Sequence, residues 1–152
     1  MWTPDGRSIT SAASDQGVPH LYEVLVDGGA ARVLVCDYSV DPAWQPAGAF
    51  VVYSGVTPEG APRPLPGPVN LTRGARRLKF LAGGREFAFL RGSIAHKDLW
   101  LADPNTGAER QLTSLPDDFE IQDFDISADS HEVVLERVQE RSDIVLLDLA
   151  GQ

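Results

Sequence analysis

Apolar residues in this chain come in short runs with turn-forming residues between them. Leu21-Tyr22-Glu23-Val24-Leu25-Val26, Leu99-Trp100-Leu101-Ala102 and Ile144-Val145-Leu146-Leu147 are rich in branched and aromatic side chains and have strand length. Each runs into residues of hairpin-turn type: Asp27-Gly28-Gly29, Asp103-Pro104-Asn105-Thr106-Gly107 and Asp148-Leu149-Ala150-Gly151. A further set follows such turns: Arg32-Val33-Leu34, Asn70-Leu71-Thr72 and Gln111-Leu112-Thr113. Phe124 and Ile126 alternate with Asp123 and Asp125, the period of a half-buried strand. The pattern predicts an all-β chain of short antiparallel strands.

The chain is also self-similar. Trp2-Thr3-Pro4-Asp5-Gly6-Arg7-Ser8-Ile9, Trp44-Gln45-Pro46-Ala47-Gly48-Ala49-Phe50-Val51, Phe80-Leu81-Ala82-Gly83-Gly84-Arg85-Glu86-Phe87 and Ile126-Ser127-Ala128-Asp129-Ser130-His131-Glu132-Val133 align. Each opens on a large apolar residue, makes a tight turn and enters an apolar strand. The repeat starts at 2, 44, 80 and 126, a period of about 41 residues, as in four-stranded propeller blades. Pro4 presets φ, Asp5 bonds local backbone, and Gly6 supplies positive φ, a place held next by Gly48 and Gly84. Ser130 takes that place in the fourth copy, so that turn is expected to be strained or of another type.

Trp-Thr-Pro-Asp-Gly-Arg followed by Leu-Tyr-Glu-Val and a closing Leu-Thr resembles the WD-like repeat of TolB-type β-propellers. The resemblance implies a propeller fragment of about 3.5–4 four-stranded antiparallel blades, with blades at 1–36, 37–73, 74–115 and 116–152, the last incomplete. It places the innermost strand before the repeat turn and the outermost at Leu-Thr. The second copy departs from it in Ala61-Pro62-Arg63-Pro64-Leu65-Pro66-Gly67-Pro68, since proline cannot donate to a ladder. Copies three and four lack the tryptophan and the intact Pro-Asp-Gly. Such blades commonly form the C-terminal part of longer bacterial proteins, so Met1 is expected to be a truncated start.

Composition narrows the function. A formal charge of -9 on 152 residues repels phosphates and anionic lipid heads, so nucleic acid is not an expected partner. No run approaches the length of a membrane span, and direct insertion is not expected. The first residues lack the apolar core of a secretion signal. Cys36 is the single cysteine; within Arg32-Val33-Leu34-Val35-Cys36 it is expected to be a buried, inert thiol.

Candidate chemistry is sparse, and no cofactor, metal or catalytic residue is expected. The nucleophile elbow of a serine hydrolase is missing, and Ser54 sits at the end of a strand. Asp123, Asp125, Ser127 and Asp129 superficially suit a calcium loop, but Ala128 and Val134 stand where glycine and glutamate belong. Arg76 and Arg77, with Arg73, Arg63 and Lys79 near, are expected to form an ion-pairing patch. His20 and His96 are placed in equivalent loops, the fourth copy offering Glu140, Arg141 and Asp143 instead. With Lys97 and Asp98 these residues make a candidate interaction face on one side of the disc, or a solvated loop in which Asp98 caps local backbone.

The expected function is a non-catalytic scaffold for protein, peptide or ligand in a larger bacterial sensor or envelope protein. Two alternatives are an accessory propeller of a prolyl-oligopeptidase-type hydrolase, whose catalytic domain this chain lacks, and a non-functional piece of a regulatory protein. An open arc should leave apolar surface near Ile9 and Tyr22 at one end, and near Val133, Leu135 and Val145 at the other. The missing blades of a parent chain, or self-association, would cover it. The Ile144–Leu147 edge should also be open to another chain.

Overall fold

The computed structural model describes residues 1–15, 17–55, 77–93, 95–116 and 119–139. The described residues form eleven strands in four antiparallel sheets and no helix. The first sheet holds β1 (Ser8–Asp15), β2 (Val18–Leu25) and β3 (Arg32–Val35), with an isolated bridge from Trp2 to Ile9. The second pairs β4 (Ser39–Trp44) with β5 (Val51–Gly55). The third runs in order through β6 (Lys79–Phe80), β7 (Phe87–Gly92), β8 (Lys97–Ala102) and β9 (Glu109–Gln111). The fourth pairs β10 (Glu120–Ile126) with β11 (Val133–Val138). The proline segment, Asn70–Thr72, Ile144–Leu147, Val145, Arg63, Arg73 and Arg76 lie outside the described residues.

The repeat turn is congruent in all four copies. Gly6, Gly48, Gly84 and Ser130 have φ of 69°, 76°, 64° and 62°. Each donates its N–H to the carbonyl three residues back, at 2.8 to 2.9 Å. The bond that closes each hairpin also repeats: Thr3 N to Ser8 O, Gln45 N to Phe50 O, Leu81 N to Glu86 O and Ser127 N to Glu132 O, at 2.9 to 3.0 Å. Ser130 is thus forced into the glycine conformation, a strained position for a residue with a Cβ. Turns one and four share a side-chain device. Thr3 Oγ1 donates to Asp5 Oδ1 at 2.7 Å, and Ser127 Oγ to Asp129 Oδ1 at 2.6 Å. Each aspartate then accepts the backbone N–H two residues on. These bonds hold both carboxyls below their usual pKa.

Consecutive sheets pack face to face. Trp44 Nε1 donates to Thr10 Oγ1 at 2.9 Å, and Leu21 N to Ser39 Oγ at 3.0 Å, joining the second sheet to the first. Ala43 and Val52 share a core with Phe80, Phe87, Phe89 and Ala102, joining the second to the third. Ala88, Leu90, Leu99 and Leu101 share another with Ile121, Phe124 and Ile126, joining the third to the fourth. Leu135 packs against that last core, so it lies on the covered side of its sheet, contrary to expectation. Val133 pairs with Ile126 on the same side but is exposed, as expected. The side turned away carries Val134, 71% exposed. At the other end Ile9 is exposed, as expected, and Tyr22 is half-buried.

Cys36 is exposed, not buried. It lies one residue beyond β3, an outer strand whose Val33 is itself exposed, so the apolar run around it does not enter the core.

Candidate functional site

The strands before each repeat turn run side by side and bound a groove of about 1250 Å³. Trp2, β4, β6 and β10 contribute to its walls. One part is apolar, built from Trp2, Pro4, Trp44 and Pro46. Met1 is fixed there: its amino group donates to Thr10 O at 2.7 Å, and its Sδ accepts Trp44 N–H at 3.4 Å. Asp41 and Pro42 reach the groove where the β4–β5 register shifts between Val40 and Ala43. Asp41 has φ of 54° there, a conformation that costs free energy in a residue other than glycine.

The other part is charged. Arg77 meets Asp123 at 2.9 Å and Asp125 at 3.7 Å, and Lys79 meets Asp125 at 2.7 Å. The alternating acids of β10 and the described members of the basic patch therefore answer each other across two sheets, as the ion-pair reading expected. Lys79 holds the Asp125 carboxyl below its ordinary pKa, with Ile126 N–H and Arg77 adding to the effect. Phe124 and Ile126 alternate inward between these acids and are buried.

The described members of the loop face are not all loop residues. His20 stands inside β2, opposite Ala13, and its ring stacks on Tyr22 at 6.4 Å between centroids. It is not in a loop equivalent to that of His96, which directly precedes β8. Lys97 and Asp98 belong to β8, and neither is a solvated loop residue. Lys97 is 2% exposed, and its Nζ donates to Glu120 Oε1 and to Ile121 O, both at 3.0 Å. Asp98 accepts from Thr113 Oγ1 and Leu115 N at 2.9 Å and from Gln111 Nε2 at 3.0 Å. His96 Nε2 lies 3.4 Å from Asp98 Oδ2. Lys97 thus ties the third sheet to β10, and Asp98 ties β8 to the chain beyond β9. The clue was available in the sequence: Lys97 and Asp98 abut the apolar run that opens at Leu99, so the strand begins two residues earlier than its apolar part. Glu140, Arg141 and Asp143 lie outside the described residues.

Asp129, the last acid of the loop with calcium-like spacing, is engaged by Ser127 and His131 in its turn, apart from the Arg77–Lys79 network. Among the described residues no group of three or more histidine, cysteine, aspartate or glutamate side chains is arranged to hold a metal ion.

No family profile matches the chain, and no curated protein matches it in sequence. Among solved structures, the crystal structure of TolB from Acinetobacter baumannii is similar to 88% of this chain, with a TM-score of 0.65 and 18% identity. The match covers 36% of that TolB chain, so this chain spans little more than a third of its length. The repeat turn, the antiparallel sheets stacked face to face and this likeness together make the chain's fold a TolB-like β-propeller fold.

Proposed function

We propose that the chain is a non-catalytic propeller module of about four blades, at 1–36, 37–73, 74–115 and 116–152, that serves as an interaction scaffold in a larger assembly. A bacterial sensor or envelope protein is the setting the resemblance implies. The groove along the inner strands is the binding site in this reading, and its occupant is an extended segment of a protein partner. The observation that carries it is the character of the groove. About 1250 Å³ exceeds the usual 300–1,000 Å³ of a small-molecule pocket. Trp2, Trp44 and two prolines offer rigid apolar platforms beside the Arg77–Asp123–Lys79–Asp125 network. Aromatic anchors flanked by fixed charges suit the side chains of a peptide better than a compact metabolite. The face near His96 is the weaker candidate, because Lys97 and Asp98 are already committed to internal bonds.

Selection of binders from a random peptide library on the intact chain tests this. Selected peptides should lose binding to Arg77→Glu and Lys79→Glu and should perturb Trp44. Peptides that bind the charge-reversed variants undiminished would sink the groove as the site.

A further inference from the structure

The charges that line the groove do not balance. Asp41, Glu120, Asp123 and Glu136 stand there against Arg77 and Lys79. Both cations are already answered, Arg77 by Asp123 and Asp125, and Lys79 by Asp125. Lys97 holds Glu120 through its buried Nζ. Asp125 and Lys97 add one charge of each sign behind the lining residues, so the excess stays negative.

Strand geometry places that excess. Asp123 and Glu136 are register partners on β10 and β11, which sets two like charges side by side on the groove wall. Such a cross-strand pair is unfavourable, and Glu136 takes part in none of the ion pairs above. Register shifts in β4 and β10 bring further polar residues to the groove, Asp41 beside Pro42 in one and Gln122 in the other. Trp44 follows Asp41 on the same strand and is half-buried, and the exposed Trp2 borders the groove from the first sheet. The face of an indole ring attracts a cation, and a neighbouring carboxylate adds an ion pair.

We propose that the groove selects a cationic segment. The extended partner binds through lysine or arginine side chains, whose stems lie on Trp44 and Trp2 and whose charges meet Asp41 and the Asp123–Glu136 pair. This rests on the reading of the groove as a peptide site and adds the chemistry of its occupant. Charge complementarity carries it. A cation brought to Glu136 relieves its repulsion from Asp123, which an anion would worsen. An acidic segment would have to compete with Asp123 and Asp125 for Arg77 and Lys79. These two basic side chains hold the acids of β10 in place and do not contact the bound cation, so reversing their charge breaks the wall. The formal charge of -9 on the whole chain adds a longer-range attraction for the same partner.

Peptides recovered from a random library on the intact chain should be enriched in lysine and arginine over the unselected pool. The tightest binder that Arg77→Glu and Lys79→Glu weaken, carrying a fluorescent label, is then titrated with two further variants. Glu136→Gln and Asp41→Asn should each bind it about fivefold more weakly, and added salt should weaken the parent's binding. Asparagine accepts the positive φ of position 41, and Glu136 is exposed, so both variants should keep the parent's cooperative melt. Glutamine in place of the peptide's basic residues should cost as much. The losses from peptide and protein should not add when the two changes are combined. Peptides that Arg77→Glu and Lys79→Glu leave undiminished bind elsewhere, and would sink the groove and this inference together. Peptides that those reversals weaken, but that lack basic residues or bind Glu136→Gln and Asp41→Asn with the parent's affinity, would keep the groove and overturn its preference for cations.

Discussion

The first and third sheets are built from the same repeat, and their burial differs sharply. In the third, Phe87, Ala88, Phe89 and Leu90 are all buried, because the second sheet covers one face and the fourth the other. In the first, the equivalent run is Ile9, Thr10, Ser11 and Ala12. Thr10 is buried against the second sheet, while Ile9, Ser11 and Ala12 are exposed. The turns that open the two runs are superimposable in φ and hydrogen bonding. Local sequence therefore sets the hairpin, and neighbours set the burial. The residue types agree: a strand covered on both faces is continuously apolar, and a strand covered on one face mixes small polar residues with apolar ones.

Truncation at equivalent positions should separate the two sheets most clearly. Phe89→Ala in the third sheet should cost about 3–5 kcal/mol in urea unfolding. Its equivalent in the first sheet, Ser11→Ala, should stay within about 0.5 kcal/mol. A comparable loss at both positions would mean that the first sheet is covered on both faces in solution.

Lys97 gives the next largest effect, because its buried ammonium joins the third sheet to the fourth through Glu120 and Ile121. The first sheet has Pro19 at the aligned position, two residues before Leu21. Lys97→Met should cost about 2–3 kcal/mol, below the full figure for a broken buried pair because Glu120 is partly hydrated. Faster hydrogen exchange in β10 than in β1 would accompany it. An unchanged melting temperature would count against the clamp.

The turn is the feature the sheets share, so a change there should not discriminate between them. Gly48→Val should cost about 1–3 kcal/mol by strain, since φ of 76° suits no β-branched residue. Gly6→Val should cost a similar amount, since a Cβ at Gly6 meets nothing and one at Gly48 meets only Pro4 at an ordinary contact distance, leaving backbone strain as the shared cost. A Gly6→Val chain that melts with the parent would show that the first turn is not held as the others are.

The smallest effect is electrostatic. Asp125 has a depressed pKa, so its contribution is present above the ordinary carboxylate range and is lost as pH falls through the lower folded value. Below about pH 4 the contact between the third and fourth sheets should weaken, while the Trp44–Thr10 contact of the first and second has no titrating group. Asp125→Asn should remove part of that acid dependence at a cost under about 1 kcal/mol, since the pair is exposed and screened. An acid profile identical to the parent's would place the pH sensitivity elsewhere.

Much of this was legible in the residues. The repeat turn rests on Gly6, Gly48, Gly84 and a reluctant Ser130, and its geometry is local, so a single sequence suffices to predict it. The apolar runs at Leu21 and Leu99 mark strands for the same reason. Lys97 and Asp98 were misplaced because charge near a turn usually signals solvent; their partners, Glu120 and Thr113, come from chain segments that pattern alone does not bring near. Leu135 was assigned to the open end because both sides of that strand hold apolar residues. Only the pairing with Ile126 and Phe124 shows which side meets the core.

By itself, then, the sequence determined the period, the turns and the strand order within each hairpin, all of which depend on backbone preferences over a few residues. Tertiary structure alone decided which face is buried in a strand such as β11, where both sides hold apolar residues. It also decided that Asp123 and Asp125 answer Arg77 and Lys79 across 46 residues of chain. Such facts depend on which sheet stands beside which. Long-range packing sets that, and hydrophobic burial is indifferent to the distance along the chain between the surfaces it joins.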